Sequence, residues 1–389
     1  MSELEVPSPT AADTTAANAV DPIAALAEEN SRIEAALGFA LVSNPENVST
    51  LVQMGDHMAV QDRAPEAADW YRAALDVTPE HVAALLKLGT LLHWYPAFQD
   101  EAITLLQRAV AQDATTIAAY RPLASSLEYA GRHAEAVAAL RAWLLAAPDD
   151  ADVVHLLAAY SHEAVPDRAN DDFVRHTFDQ GAEKFDVLLR DTLHYRAPEA
   201  LMAHLQNVLP ERIRTAESSL DVLDIGCGTG LAAALLKPHA QRLVGVDLSP
   251  KMLAKAGALA LYDELATGEL TAYLGACSAE FDLLFAADTL VYCGRLDEVF
   301  TKAFAALRRG GCLAFTVERL PEATEGTAAP GFVLTATGRY QQSERYVREA
   351  LSRAGFAAAH IIESQLRVER DAPVIGLVAV AIKPVKAQS

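Results

Sequence analysis

Positive charge is scarce in this 389-residue chain: 32 Lys and Arg stand against 52 Asp and Glu, a formal net charge of −20. The deficit runs throughout, with 8 basic against 21 acidic residues in 1–150 and 24 against 31 in 151–389. Either half would repel a phosphate backbone, which sets nucleic acid aside as a partner. Aromatics are few, and Ala and Leu abundant, as in a largely helical protein. There are four cysteines, at 227, 277, 293 and 312, with no C-x-x-C pair. They lie mostly beside apolar residues, so buried, reduced thiols and a cytoplasmic setting are expected. The start, Met1-Ser-Glu-Leu-Glu5, lacks the basic and apolar parts of a signal peptide. No apolar run approaches the ~18 residues of a membrane span, so no membrane role is expected. No His, Cys, Asp or Glu pair has metal-ligand spacing, so no metal is expected.

The length allows two domains, each with its own core. Residues 1–21 are rich in Ala, Thr, Ser and Pro without periodicity and read as a disordered tail. Residues 22–160 then carry an internal repeat of about 34 residues. The first unit runs Leu51, Met54, Gly55, Met58, Ala67, Tyr71, Ala74, Pro79; the second runs Leu85, Leu88, Gly89, Leu92, Ala102, Leu106, Ala109. The third runs Tyr120, Leu123, Ala124, Leu127, Ala136, Leu140, Trp143, Pro148. Large residues followed by Gly or Ala allow two antiparallel helices to approach closely, and Pro ends the second helix. These units resemble tetratricopeptide repeats. That resemblance implies a curved helical solenoid, whose concave face would serve a protein partner or self-association.

The most informative stretch is Val222-Leu-Asp-Ile-Gly-Cys-Gly-Thr-Gly230, followed by Leu243-Val-Gly-Val-Asp-Leu-Ser249. Strand, glycine turn, helix, strand and acid, in that order, open a doubly wound α/β domain. Glycines let the chain turn sharply and leave room for a ligand. Asp247, ending the second strand, can accept hydrogen bonds from the two hydroxyls of a ribose. Asp224 would repel a pyrophosphate and suits a ligand with a cationic end. Leu231 departs from the G-x-G-x-x-G spacing of dinucleotide sites, which disfavours a nicotinamide cofactor.

The string Asp224-x-Gly226-x-Gly228-x-Gly230 resembles motif I of class I S-adenosylmethionine methyltransferases. The stretch from about 28 to 385 resembles a bacterial group in which such a domain follows tetratricopeptide repeats. The resemblance implies a Rossmann-like, seven-stranded α/β domain at 221–389, an all-α repeat domain before it, and linker or lid helices at 161–220. It implies S-adenosylmethionine as cofactor, held by Asp224, Gly226, Cys227, Gly228, Thr229, Gly230, Asp247, Leu248, Met252 and Asp288. Glu269, or Asp263 after Tyr262, would meet the adenine.

Strands are expected at 221–226, 242–247, about 270–274, 281–287, 311–318, about 358–365 and 373–383, the last two as an antiparallel hairpin. Candidates to face the transferred methyl are Asp288 and Tyr292 after the fourth strand, Tyr195 and Arg196 from the lid, and Arg339 and Tyr340 before the last helix. A base is needed only if the acceptor must lose a proton. An arginine pair would suit a carboxylate or phosphate on the acceptor. Four of the candidates have a plainer alternative: Asp288 as a helix cap, Tyr292 as core, Arg196 paired with Glu199, Arg339 as surface charge. The acceptor is a small molecule or a protein. The rival reading is a scaffold whose α/β domain binds S-adenosylmethionine without turnover.

Overall fold

The computed structural model describes residues 22–183, 185–209, 219–321, 331–369 and 372–385. The expected tail at 1–21 lies outside them. Contacts divide the chain into two compact units, Met1–Ala130 and Gly131–Ser389.

The described part of the first unit is helical, with helices at Pro22–Ser43, Val48–Val60, Ala64–Val77, Val82–Leu92, Gln99–Gln112 and Tyr120–Tyr129. Asn47 starts the second of these by accepting a hydrogen bond from the Thr50 amide, a standard cap for an otherwise unpaired N–H. That helix buries Leu51, Met54, Gly55 and Met58, one face at helical spacing. A Cβ at Gly55 would collide with the Tyr71 ring, and one at Gly89 would lie 2.7 Å from Leu106 Cγ. The alternation of large and small residues is therefore the means by which successive helices close on each other. A 3-10 turn, Pro96–Phe98, leads into helix Gln99–Gln112. The Gln99 side chain pins it by donating to the His93 carbonyl (2.7 Å).

The second unit begins with helices His133–Ala146, Ala151–Ser161 and Asp171–Gly181. A turn at Phe185–Val187 runs into a π-helical stretch, Leu188–Thr192, and then comes helix Ala197–Val208. His194, between them, has φ 46°, which ends the helical run. The sheet comprises β1 (Leu220–Ile225), β2 (Ala240–Asp247), β3 (Glu264–Thr267), β4 (Phe281–Ala286), β5 (Leu307–Arg319), β6 (Phe332–Leu334), β7 (Tyr340–Gln342), β8 (Ala358–Glu369) and β9 (Ala372–Ile382). β3-β2-β1-β4-β5 are parallel neighbours. β9 joins β5 antiparallel and β8 joins β9, giving the expected terminal hairpin.

Two strand expectations need correction. The segment 270–274 is not a strand: it lies in helix Leu270–Ala276, because Glu269 caps that helix by accepting from the Ala272 amide (2.8 Å). The third strand is Glu264–Thr267, a short, half-exposed edge without a long apolar run. The sheet is also larger than seven strands, since β6 and β7 form an additional small hairpin whose β7 lies beside the end of β5.

β1 is buried along its whole length and β4 nearly so, as a parallel sheet covered on both faces requires. Leu201 and Leu205 pack on one face with Val222, Leu243, Leu283 and Phe285. The turns after β1, β2 and β4 thus emerge together at the C-terminal edge, where open α/β sheets bind ligands. Cys227, Cys293 and Cys312 are buried and Cys277 is half-buried.

Candidate active site

β1 ends at Ile225 and the chain turns through Gly226, Gly228 and Gly230, at φ 66°, 55° and 90°, where L-residues are strained. Gly226 has a second reason: a Cβ there would collide with Thr289, whose hydroxyl donates to the Ile225 carbonyl (2.8 Å). At Gly228 a Cβ would meet nothing within 4 Å, so the turn presents bare backbone to open space. Asp247, at the tip of β2, accepts from the Gly228 amide (2.9 Å) and the Ser249 amide (2.8 Å). These bonds tie the two turns together. Burial raises the Asp247 pKa, and the amide bonds oppose that rise.

Asp224 is buried and accepts from the Tyr262 hydroxyl (2.6 Å). Burial pushes its pKa up to about 7, against the Tyr262 bond, with a further push from Asp247. Cys227 is buried in the turn and its thiol is pushed up by desolvation. Leu248 is half-buried and Met252 fully buried in helix Pro250–Ala258. Glu269 spends its carboxylate on capping Ala272 and on the Thr271 hydroxyl. Asp263 pairs with Lys237 (2.8 Å) and accepts from the Leu243 amide (2.7 Å).

The segment 171–192 is fastened to these turns. Thr229 donates to Asp186 (2.5 Å), and Ser249 donates to Asp179 (2.5 Å) while capping its own helix at Met252. Phe178 stands edge-on to both Phe185 (5.7 Å) and Tyr292 (5.6 Å). A covering element over motif I, entered at Phe185-Asp186, was expected from the sequence, but no role was assigned to Asp179 or Asp186.

Past Thr289 lies a cluster of acidic and basic side chains. Arg367, buried on β8, points Nη1 at Asp288 Oδ2 (2.5 Å), Nη2 at Glu318 and Nε at Glu369 (2.6 Å). Arg339 donates from Nε to Glu318 (2.6 Å) and from Nη2 to Glu369 (2.6 Å). Asp288 itself has φ 57° and its amide donates to the Thr316 hydroxyl (2.8 Å). Its other oxygen, Oδ1, is shielded from solvent and has no hydrogen-bond partner among the described residues. Burial raises the Asp288 pKa, opposed by Arg367. Burial would also raise Glu369, but Arg339 and Arg367 outweigh it and hold it low. Tyr195 and Tyr292 adjoin the cluster, and burial raises both phenols. Tyr195 feels the charges of both Asp288 and Asp224.

The structure thus brings Asp288, Tyr292, Tyr195 and Arg339 together. It does not bring Tyr340: that ring is fully buried beside Phe332 and its hydroxyl donates to the Pro166 carbonyl (2.7 Å). Arg196 is exposed. Glu318, Arg367 and Glu369 were missed in the sequence. Their signal was present: Glu318 ends an apolar strand, and Arg367 and Glu369 share one face of another at the two-residue period. β8 is irregular between Gln365 and Arg367, the kind of bulge that re-aims a side chain.

Residues 222–311 match the family model described as "Methyltransferase domain", so the glycine turn opens a methyltransferase domain. The chain is 32% identical over 133 residues to the malonyl-[acyl-carrier protein] O-methyltransferase of Enterobacter lignolyticus, covering 33% of this chain and 49% of that one. It is 42% identical over 91 residues to methyltransferase-like protein 27 of Homo sapiens, covering 23% and 35%. It is 34% identical over 125 residues to the trans-aconitate 2-methyltransferase of Pseudomonas paraeruginosa, covering 31% and 41%. The chain spans less than half the length of these curated relatives. Among the described residues, no group of three or more His, Cys, Asp or Glu could hold a metal ion, and no helix is long and apolar enough to cross a membrane.

Proposed function

We propose that the chain transfers a methyl group from S-adenosylmethionine to a small-molecule or protein acceptor. The observation that carries this is the joining of the glycine turn to Asp247 at the tip of β2, through the Gly228 amide. The residues fit the cofactor: Gly228 presents bare backbone, Asp247 keeps lone pairs for ribose hydroxyls, and Asp224 sets a buried carboxylate where a cation would be welcome. When bound, the cofactor supplies an electrophilic methyl on a sulfonium. The chain's own part is to align the acceptor and exclude water, a contribution worth up to about 7–11 kcal/mol for reactions of this kind. Thr229–Asp186 and Ser249–Asp179 would keep the covering segment closed over the turn. Glu269 remains the candidate for the adenine edge if its cap opens.

The named acceptors of two relatives are malonyl-acyl carrier protein and trans-aconitate. The matches are too partial to carry either over. The helices of 22–160 serve in this proposal as tetratricopeptide repeats that recruit a protein partner or a second copy, supported by the packing at Gly55 and Gly89. A cytoplasmic setting is supported by the thiols of Cys227, Cys277 and Cys293, none of them in a disulfide.

The test is mass-spectrometric detection of S-adenosylhomocysteine when the full-length protein meets S-adenosylmethionine and a cell extract. Formation above a boiled control is expected. Cofactor binding without any formation would favour the rival reading, a scaffold that holds the nucleotide unturned.

A further inference from the structure

On the transferase reading, we propose that the acceptor is a primary or secondary amine, received by the open oxygen of Asp288. Asp288 lies two residues past the end of β4, and its neighbour Thr289 is bonded to the last residue of β1, so the carboxylate stands beside the glycine turn. Arg367 occupies Oδ2 and leaves Oδ1 without a donor among the described residues. A shielded acceptor atom left unpaired is costly, and an N–H from a ligand removes that cost.

The surrounding charges select the kind of donor. All three guanidinium nitrogens of Arg367 already face carboxylates, and Arg339 has committed Nε and Nη2. The arginine pair is therefore not an open fork for an incoming carboxylate. Among the described residues, three carboxylates (Asp288, Glu318, Glu369) face two guanidiniums, with the phenols of Tyr195 and Tyr292 uncharged beside them. An ammonium supplies the missing positive charge; a carboxylate would add to the excess. Burial makes Asp288 a stronger proton acceptor than an exposed aspartate.

The step balances as follows. The ammonium proton passes to Asp288 Oδ1 and frees the nitrogen lone pair. That pair forms the new N–C bond to the donor's methyl carbon as the carbon's bond to sulfur breaks, its electrons remaining on sulfur.

Two readouts test this. Full-length protein is incubated with methyl-labelled S-adenosylmethionine and a cell extract, and the labelled product is sorted chemically. Label that survives alkali and enters organic solvent only from alkaline solution, as an amine does, is expected. Label released as methanol by mild alkali, or alkali-stable label in a neutral product, overturns the amine assignment and leaves the transferase reading intact. No label in any fraction, from protein that binds the cofactor calorimetrically, removes both. The second readout needs no turnover: carbon-13 NMR of aspartate carboxyls, with D288N identifying the Asp288 resonance. In protein saturated with S-adenosylhomocysteine, benzylammonium is expected to shift that resonance and lower its midpoint, and benzoate to leave it in place. A full shift with S-adenosylhomocysteine alone, not extended by benzylammonium, would assign Oδ1 to the cofactor's own ammonium and overturn the proposal.

Discussion

The two ends of this site are built from the chain in different ways. The glycine-turn end comes from one short stretch, Asp224 to Ser249, in which two strands and their turns bring Asp247 to the Gly228 amide. The ion cluster draws Asp288 from the end of β4, Glu318 from β5, Arg339 from the turn before β7, and Arg367 and Glu369 from β8. The first end depends on backbone conformation, which constrains residue types at fixed spacing. The second depends on charges that meet only after the sheet has formed.

Perturbing each end should therefore have different signatures. The largest effect is expected for Arg367→Met, which leaves three carboxylates without their shared cation. Removing one partner of a buried ion pair typically costs about 3–5 kcal/mol, measurable as a lowered denaturation midpoint. A loss under about 1 kcal/mol would mean the cluster is wet and loosely held.

Gly226→Ala should come next. The new Cβ meets Thr289 in a left-handed turn, and forcing such a conformation costs of order 1–3 kcal/mol. Cofactor affinity should fall with stability here, whereas Arg367→Met should spare the affinity of whatever protein remains folded. Equal losses of affinity in the two variants would erase the distinction between the ends.

A pH titration sharpens the contrast further. Asp224 rises from an ordinary 3.8 to about 7 in the folded chain, because burial disfavours its charge. The folded state thus holds a proton that the unfolded state releases above pH 3.8. Its contribution to stability is full below that value and is lost as pH rises toward about 7. Asp224→Asn should flatten this part of the stability–pH curve relative to wild type, and parallel curves would contradict the assignment.

The smallest effect is expected at the fastening of 171–192. Ser249→Ala removes both the helix cap and the bond to Asp179, a loss of about 1 kcal/mol for the cap. Faster proteolysis within 171–192, reduced by added S-adenosylhomocysteine, is the expected readout. An unchanged digestion rate would mean that the segment is held by Phe178 and its aromatic neighbours.

The same contrast explains what could be read from the sequence. β1, β2 and β4 were legible because buried parallel strands are continuous apolar runs bounded by turns, and β9 of the antiparallel closing hairpin because its C-terminal half is a continuous buried run. The glycine turn was legible because positive φ at three alternate positions favours glycine. β3 was misplaced since its four residues, Glu264–Thr267, lie half-exposed at an edge, while Leu270–Ala276 offered a more apolar run that Glu269 diverts into a helix. Asp288 and Tyr292 were named from the end of the fourth strand, Tyr195 from the lid, and Arg339 from the loop before the last helix. Arg367 was not: its spacing from Glu369 was there to read, but its partners Asp288 and Glu318 lie far away in sequence and meet it only in the fold. Tyr340 looked like a loop residue, but the β6–β7 hairpin draws its ring into the core.

The central claim, that the turn joined to Asp247 holds S-adenosylmethionine, is tested most directly by calorimetric titration of the full-length protein with S-adenosylmethionine and S-adenosylhomocysteine, beside Asp247→Ala. Saturable binding to the wild type, weakened at least tenfold in a variant that remains folded, is the predicted result. Equal affinity in the two proteins, or no binding to the folded wild type, would contradict it.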